Sequence, residues 1–128
     1  MDTFAEEYAE AWSSRDPDRV AGFFSEKGSL QINGGEPSVG RRAIAEDARG
    51  FMTAFPDLIV SFDKLVATEK GTEFHWTLTG TNTGPGGKGN RVSINGYELW
   101  RIGPDGLIAE SKGYFDFAEF NRQIEHGE

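Results

Sequence analysis

The chain has 128 residues, 37% of them hydrophobic and 27% charged, with no cysteine and a formal net charge of −8. That length suits a single domain with one core, over residues 1–128, and the missing cysteines remove disulfides, thiolate nucleophiles and thiolate metal sites. The acidic balance, with no basic cluster beyond Arg41-Arg42, argues against nucleic acid, and the lack of a long apolar run or a basic leader leads us to expect a cytoplasmic protein with no membrane span.

Phe4, Tyr8 and Trp12 recur every four residues beside Ala5 and Ala9, opposite Glu6, Glu7 and Glu10. This spacing predicts an amphipathic helix over about 2–14. Asp16-Pro17 reads as an N-cap and first helical residue of a short second helix burying Val20, Phe23 and Phe24 and ending at Gly28. A strand candidate, 29–33, breaks at Gly34-Gly35. A third helix follows Gly40 with Ile44, Ala48, Phe51, Met52 and Phe55 on one face, and Pro56 stops it. Arg41-Arg42 reads as its solvated start.

Four stretches then show two-residue alternation or β-branched and aromatic enrichment: about 57–69, 72–83, 90–102 and 107–117. Lys70-Gly71, the glycine-rich run 84–89 and Gly103-Pro104-Asp105-Gly106 join them as tight connections, which predicts an antiparallel meander. A short helix over 118–125 closes the chain. Helices first and long strands afterwards give an α+β fold and not alternating βαβ units. His75 and His126 are the only imidazoles and stand at no metal-ligand spacing, so neither metal nor organic cofactor is expected.

Three segments carry a family resemblance. Gly80-Thr81-Asn82-Thr83-Gly84 looks like the G-T-H-x-G hairpin of SnoaL-like sequences, with Asn82 where a histidine often stands. The segments 96–102 and 105–110 look like their last two strands, and Tyr114-Phe115-Asp116 with Gln123-Ile124 like the close of the domain. The chain thus resembles the SnoaL-like polyketide cyclases and the related ketosteroid isomerases of the nuclear transport factor two-like superfamily. The resemblance implies a cone-shaped curved antiparallel sheet wrapped around N-terminal helices, with a central pocket for a small hydrophobic or polyketide-like ligand, and a homodimer formed through the outer sheet face. It implies cofactor-free acid/base chemistry on an enolisable carbonyl compound. The alternative is a non-catalytic ligand-binding or dimeric interaction domain.

By the same resemblance Tyr8 falls where isomerases place an oxyanion-binding tyrosine, Glu98 where they place a protonated acid, and Gln31 where they place the general base. A neutral amide cannot take a proton, so Gln31 is left to orient a ligand, and Asp116 becomes the expected acid/base, as in the cyclases. Each has a plainer reading: Tyr8 as a core residue, Glu98 as half of an ion pair, Asp116 as a helix cap. Glu98 is the most informative, because a carboxylate in an alternating apolar strand face is costly unless neutral or hydrogen-bonded. Trp12, Phe55, Trp76, Trp100 and Phe115 are expected pocket walls. His75, on a mixed polar face with Glu73, Thr77 and Thr79, is expected outside.

Overall fold

A computed structural model describes all 128 residues. The helices are α1 (Asp2–Ser13), α2 (Pro17–Ala21), α3 (Arg41–Ala54) and α4 (Phe117–His126), and the strands β1 (Phe24–Ile32), β2 (Ser38–Val39), β3 (Ile59–Thr68), β4 (Gly71–Thr81), β5 (Arg91–Ile102) and β6 (Ile108–Phe115). The strands form one curved, unclosed sheet in the order β2-β1-β6-β5-β4-β3. The meander β3-β4-β5-β6 is antiparallel throughout, as its tight connections require.

One pairing departs from the all-antiparallel expectation. β1 runs parallel to β6, with a register shift between Phe24 and Ser29. Gly28, expected to end a helix, lies in that irregular stretch, where a Cβ would fall 2.8 Å from the Ile108 carbonyl oxygen. A side chain there would push the strands apart. The second helix therefore stops at Ala21, and Phe24 is a fully buried strand residue.

Along β4 and β5 burial alternates with a period of two, sending Phe74, Trp76, Leu78, Val92, Ile94, Glu98 and Trp100 inward. Tyr8 on α1 packs edge-on against Trp100 at 5.3 Å and Phe74 at 5.3 Å between ring centroids. The C-terminal end of α1 is pinned to the sheet by Ser13 Oγ, which accepts from Val60 N at 2.9 Å. The glycine-threonine-asparagine segment has a structural task too: buried Asn82 donates through Nδ2 to the Ala54 carbonyl at 3.1 Å, closing the end of α3 against the end of β4. Together these contacts hold α1 and α3 over one face of the sheet, leaving a cavity between.

Candidate functional site

The cavity is walled by Trp12 from α1, Phe51 from α3, Phe120 from α4 and inward residues of five strands, among them Trp76, Ile94 and Phe115. Ten of its twelve lining residues are hydrophobic, and the others are Gly113 and Glu98. Glu98 is therefore the one charge-bearing group in the wall. It faces Gly113 across the β5–β6 ladder, and because Gly113 has no side chain the space above the carboxyl stays open.

Glu98 is 7% exposed and hydrogen-bonded mainly through one of its two oxygens. Its Oε1 accepts from the Ser111 hydroxyl at 2.7 Å, the Trp100 indole N–H at 3.0 Å and the Tyr8 hydroxyl at 3.0 Å. Its Oε2 has only a longer contact, 3.2 Å, from the same Tyr8 hydroxyl. Oε1 is thus saturated, and Oε2 keeps free lone-pair capacity. No cation pairs with the carboxyl, so the ion-pair reading of Glu98 does not describe it.

Burial in this apolar wall pushes the Glu98 carboxyl above its ordinary value of 4.5, and the bonds from Ser111, Trp100 and Tyr8 pull the other way. The Tyr8 hydroxyl is held well above its ordinary range, first by burial and then by the Glu98 charge, so it stays a neutral donor. Trp12 Nε1 is buried without a hydrogen-bond partner. It belongs to a lining residue, but the nitrogen itself is closed off from the cavity space.

Several expected site residues lie elsewhere. Tyr8 is fully buried and spends its hydroxyl on Glu98, so it positions the acid and does not itself line the cavity. Trp100 lies behind the wall, stacked on Phe74 at 4.9 Å, and holds Glu98 through its N–H. Phe55 is core, packed on Phe120 from beyond the cavity. Gln31 donates to the Gly35 carbonyl at 2.8 Å, because β1 turns its even-numbered neighbours Leu30 and Ile32 inward. Asp116 is exposed and N-caps α4, Oδ1 accepting from Glu119 N at 3.0 Å. On the two-residue period Phe115 points into the cavity and its neighbours point out. His75 sits on the outer face against Glu73 and Tyr97, as expected.

Trp12, Trp76, Phe115 and Glu98 are the expected residues that do meet at the cavity. Ser111 was missed by sequence reasoning. The β5–β6 register would have found it, since a serine on the inward face two residues before Gly113 stands beside Glu98's own strand neighbour Trp100.

The model of the SnoaL-like polyketide cyclases matches residues 2–124. The chain belongs to the SnoaL-like polyketide cyclase family. Among solved structures, this SnoaL-like protein is similar to a candidate SnoaL-like polyketide cyclase from Jannaschia sp. CCS1 (18% identity, 99% of this chain and 92% of that chain, TM-score 0.83). It is also similar to SalBIII, an epoxide hydrolase/cyclase-like enzyme with a role in pyran ring formation in the polyether salinomycin (21% identity, 92% of each chain, TM-score 0.77). A third is a ketosteroid isomerase-like fold from Catenulispora acidiphila DSM 44928, in complex with trimethylamine (15% identity, 95% and 92% coverage, TM-score 0.82). At these identities the likenesses establish the fold. No curated protein sequence matches the chain. No helix is long and apolar enough to cross a membrane.

Proposed function

We propose that this SnoaL-like protein is a cofactor-free acid/base catalyst of the cyclase or isomerase kind, acting on a small hydrophobic carbonyl compound, with Glu98 as its proton-transfer group. The observation that carries this reading is a single buried carboxyl in an otherwise apolar cavity, with one oxygen saturated by three donors and the other holding only the longer contact from Tyr8. A raised pKa brings such a group nearer to the operating pH, where an acid/base works best. Family membership and the likeness to a cyclase-like enzyme support the coarser part of this reading, a cyclase-type function.

In the proposed reaction Glu98 Oε2 takes a proton from the carbon next to the carbonyl. The C–H pair becomes the C=C bond of an enolate, and negative charge moves to the carbonyl oxygen. Where the substrate is β,γ-unsaturated the enolate is a dienolate, and the proton returns from Glu98 to its γ carbon, giving the conjugated isomer. In a cyclisation the enolate carbon attacks a second carbonyl of the same molecule, and Glu98 gives its proton to the new alkoxide. Either route balances without a co-reactant. The general-base role expected of Asp116 passes to Glu98.

Wash-in of solvent deuterium next to the carbonyl of a short methyl ketone tests this. Glu98→Gln is expected to abolish wash-in, while Asp116→Asn leaves it at the parental rate. Loss in Asp116→Asn with its fold intact would overturn the assignment. The apolar wall also favours a second reading, a ligand-binding protein without chemistry. That reading predicts ketone binding without wash-in in the parent.

A further inference from the structure

The cavity has a volume of about 60 Å³. A dry cavity of roughly 150 Å³ takes one benzene, so this space takes only a few heavy atoms. The end of a chain fills it. A polyketide-sized molecule does not.

The wall is unevenly closed. Ile32, Phe51 and Phe115 are only partly buried, whereas Trp12, Trp76, Ile94 and Glu98 are buried, which puts the open side of the cavity at the first three. At that mouth the aromatic wall continues outward. Phe115 and Phe120 line the cavity at 5.5 Å from each other, and Phe117, 57% exposed, lies 6.2 Å from the first and 6.4 Å from the second. Phe117 is one of few large hydrophobic side chains left in solvent, and its ring extends the wall of an apolar cavity.

We infer that the ligand enters end-first, with its reacting carbonyl end inside against Glu98 and the remaining apolar chain lying over Phe117 outside the mouth. Phe117 is then a specificity-determining residue that selects for a long hydrophobic substrate over a short one. The inference rests on the cavity being the ligand site, as proposed above. It adds which part of the ligand the cavity reads.

The test is a binding series of straight-chain methyl ketones, from methyl ethyl to methyl nonyl ketone, followed by the fluorescence of the lining residues Trp12 and Trp76. The first added methylenes enter the cavity and are expected to tighten binding by about fourfold each. Later ones lie on the half-exposed Phe117 ring and are expected to add about twofold each. In Phe117→Ala the early increments stay and the later ones vanish, and Phe117→Leu retains part of them. Because Phe117 is exposed, both variants are expected to melt with the parent. An affinity that stops rising once the cavity is full, or that rises equally in parent and Phe117→Ala, overturns the inference while leaving the proposed function standing. Failure of even the short ketones to bind overturns both.

Discussion

Glu98 is held between two opposing effects. Desolvation favours its neutral form, and three donors aimed at Oε1 favour the ionised one, with burial the larger. Glu98→Gln preserves the shape and an acceptor for those donors, so the fold is expected to survive. Glu98→Ala leaves the Tyr8, Trp100 and Ser111 donors unpaired, at about 1–3 kcal/mol each, and is expected to lower the melting temperature by roughly 10 °C or more. Equal losses for Gln and Ala would contradict this. The pH dependence has a definite sign. A carboxyl raised in the folded state contributes stability that is fully present below its unfolded value of 4.5 and lost as pH rises through the folded value. The melting temperature of the parent relative to Glu98→Gln is therefore expected to fall as pH rises from about 4.5, the opposite of the trend given by carboxyls held low such as Glu119. Tyr8→Phe removes one donor from the carboxyl, so deuterium wash-in is expected to persist with its pH midpoint displaced upward. Complete loss would instead make Tyr8 a catalytic group. Glu98's inward position was legible because its strand alternates cleanly. The bond to Tyr8 was not, since it joins residues 90 apart in sequence and depends on how α1 crosses the sheet.

At the level of elements, the strands of the meander were legible to within a few residues because alternation and tight turns agree along all four. Of the first strand only the second half was, as the candidate 29–33. Phe23 and Phe24 continue a helical spacing, and only the parallel pairing with β6 makes Phe24 a strand residue. Asp116 shows the same limit: an aspartate before a helix reads equally as a cap or as a family-like catalytic acid, and the outward turn of the chain after Phe115 decides for the cap. Asp116→Ala is expected to cost about 1 kcal/mol through loss of that cap, and Asp116→Asn close to nothing, since asparagine caps as well. Thermal melting of the two variants checks this, and equal losses would deny the capping role. Gly113→Ala belongs here too. Its Cβ would make ordinary contact with Glu98 Cγ at 3.8 Å, so the strand is expected to hold while space above the carboxyl shrinks and ketone binding weakens.

For the whole molecule, the outer face of β4–β6 carries His75 on Tyr97 at 5.3 Å and Tyr97 on Tyr114 at 5.1 Å, an aromatic row on the side away from the helices. A sheet covered on one side can pack its other side against a partner. We expect this face to pair two copies, so light scattering at micromolar concentration should give twice 14.1 kDa, and Tyr97→Glu should give the single mass. A monomeric parent would contradict it. The cavity, on the opposite face, depends on that same sheet and on the helices laid over it, and its most consequential product is the state of Glu98. A carbon-13 NMR titration of the glutamate carboxyls, with the Glu98 signal assigned by its absence in Glu98→Gln, measures that state directly. A midpoint for Glu98 above 4.5 is expected. A midpoint at or below that value would mean that the three donors outweigh burial, leaving Glu98 a permanently charged structural anchor and not the acid/base of the site.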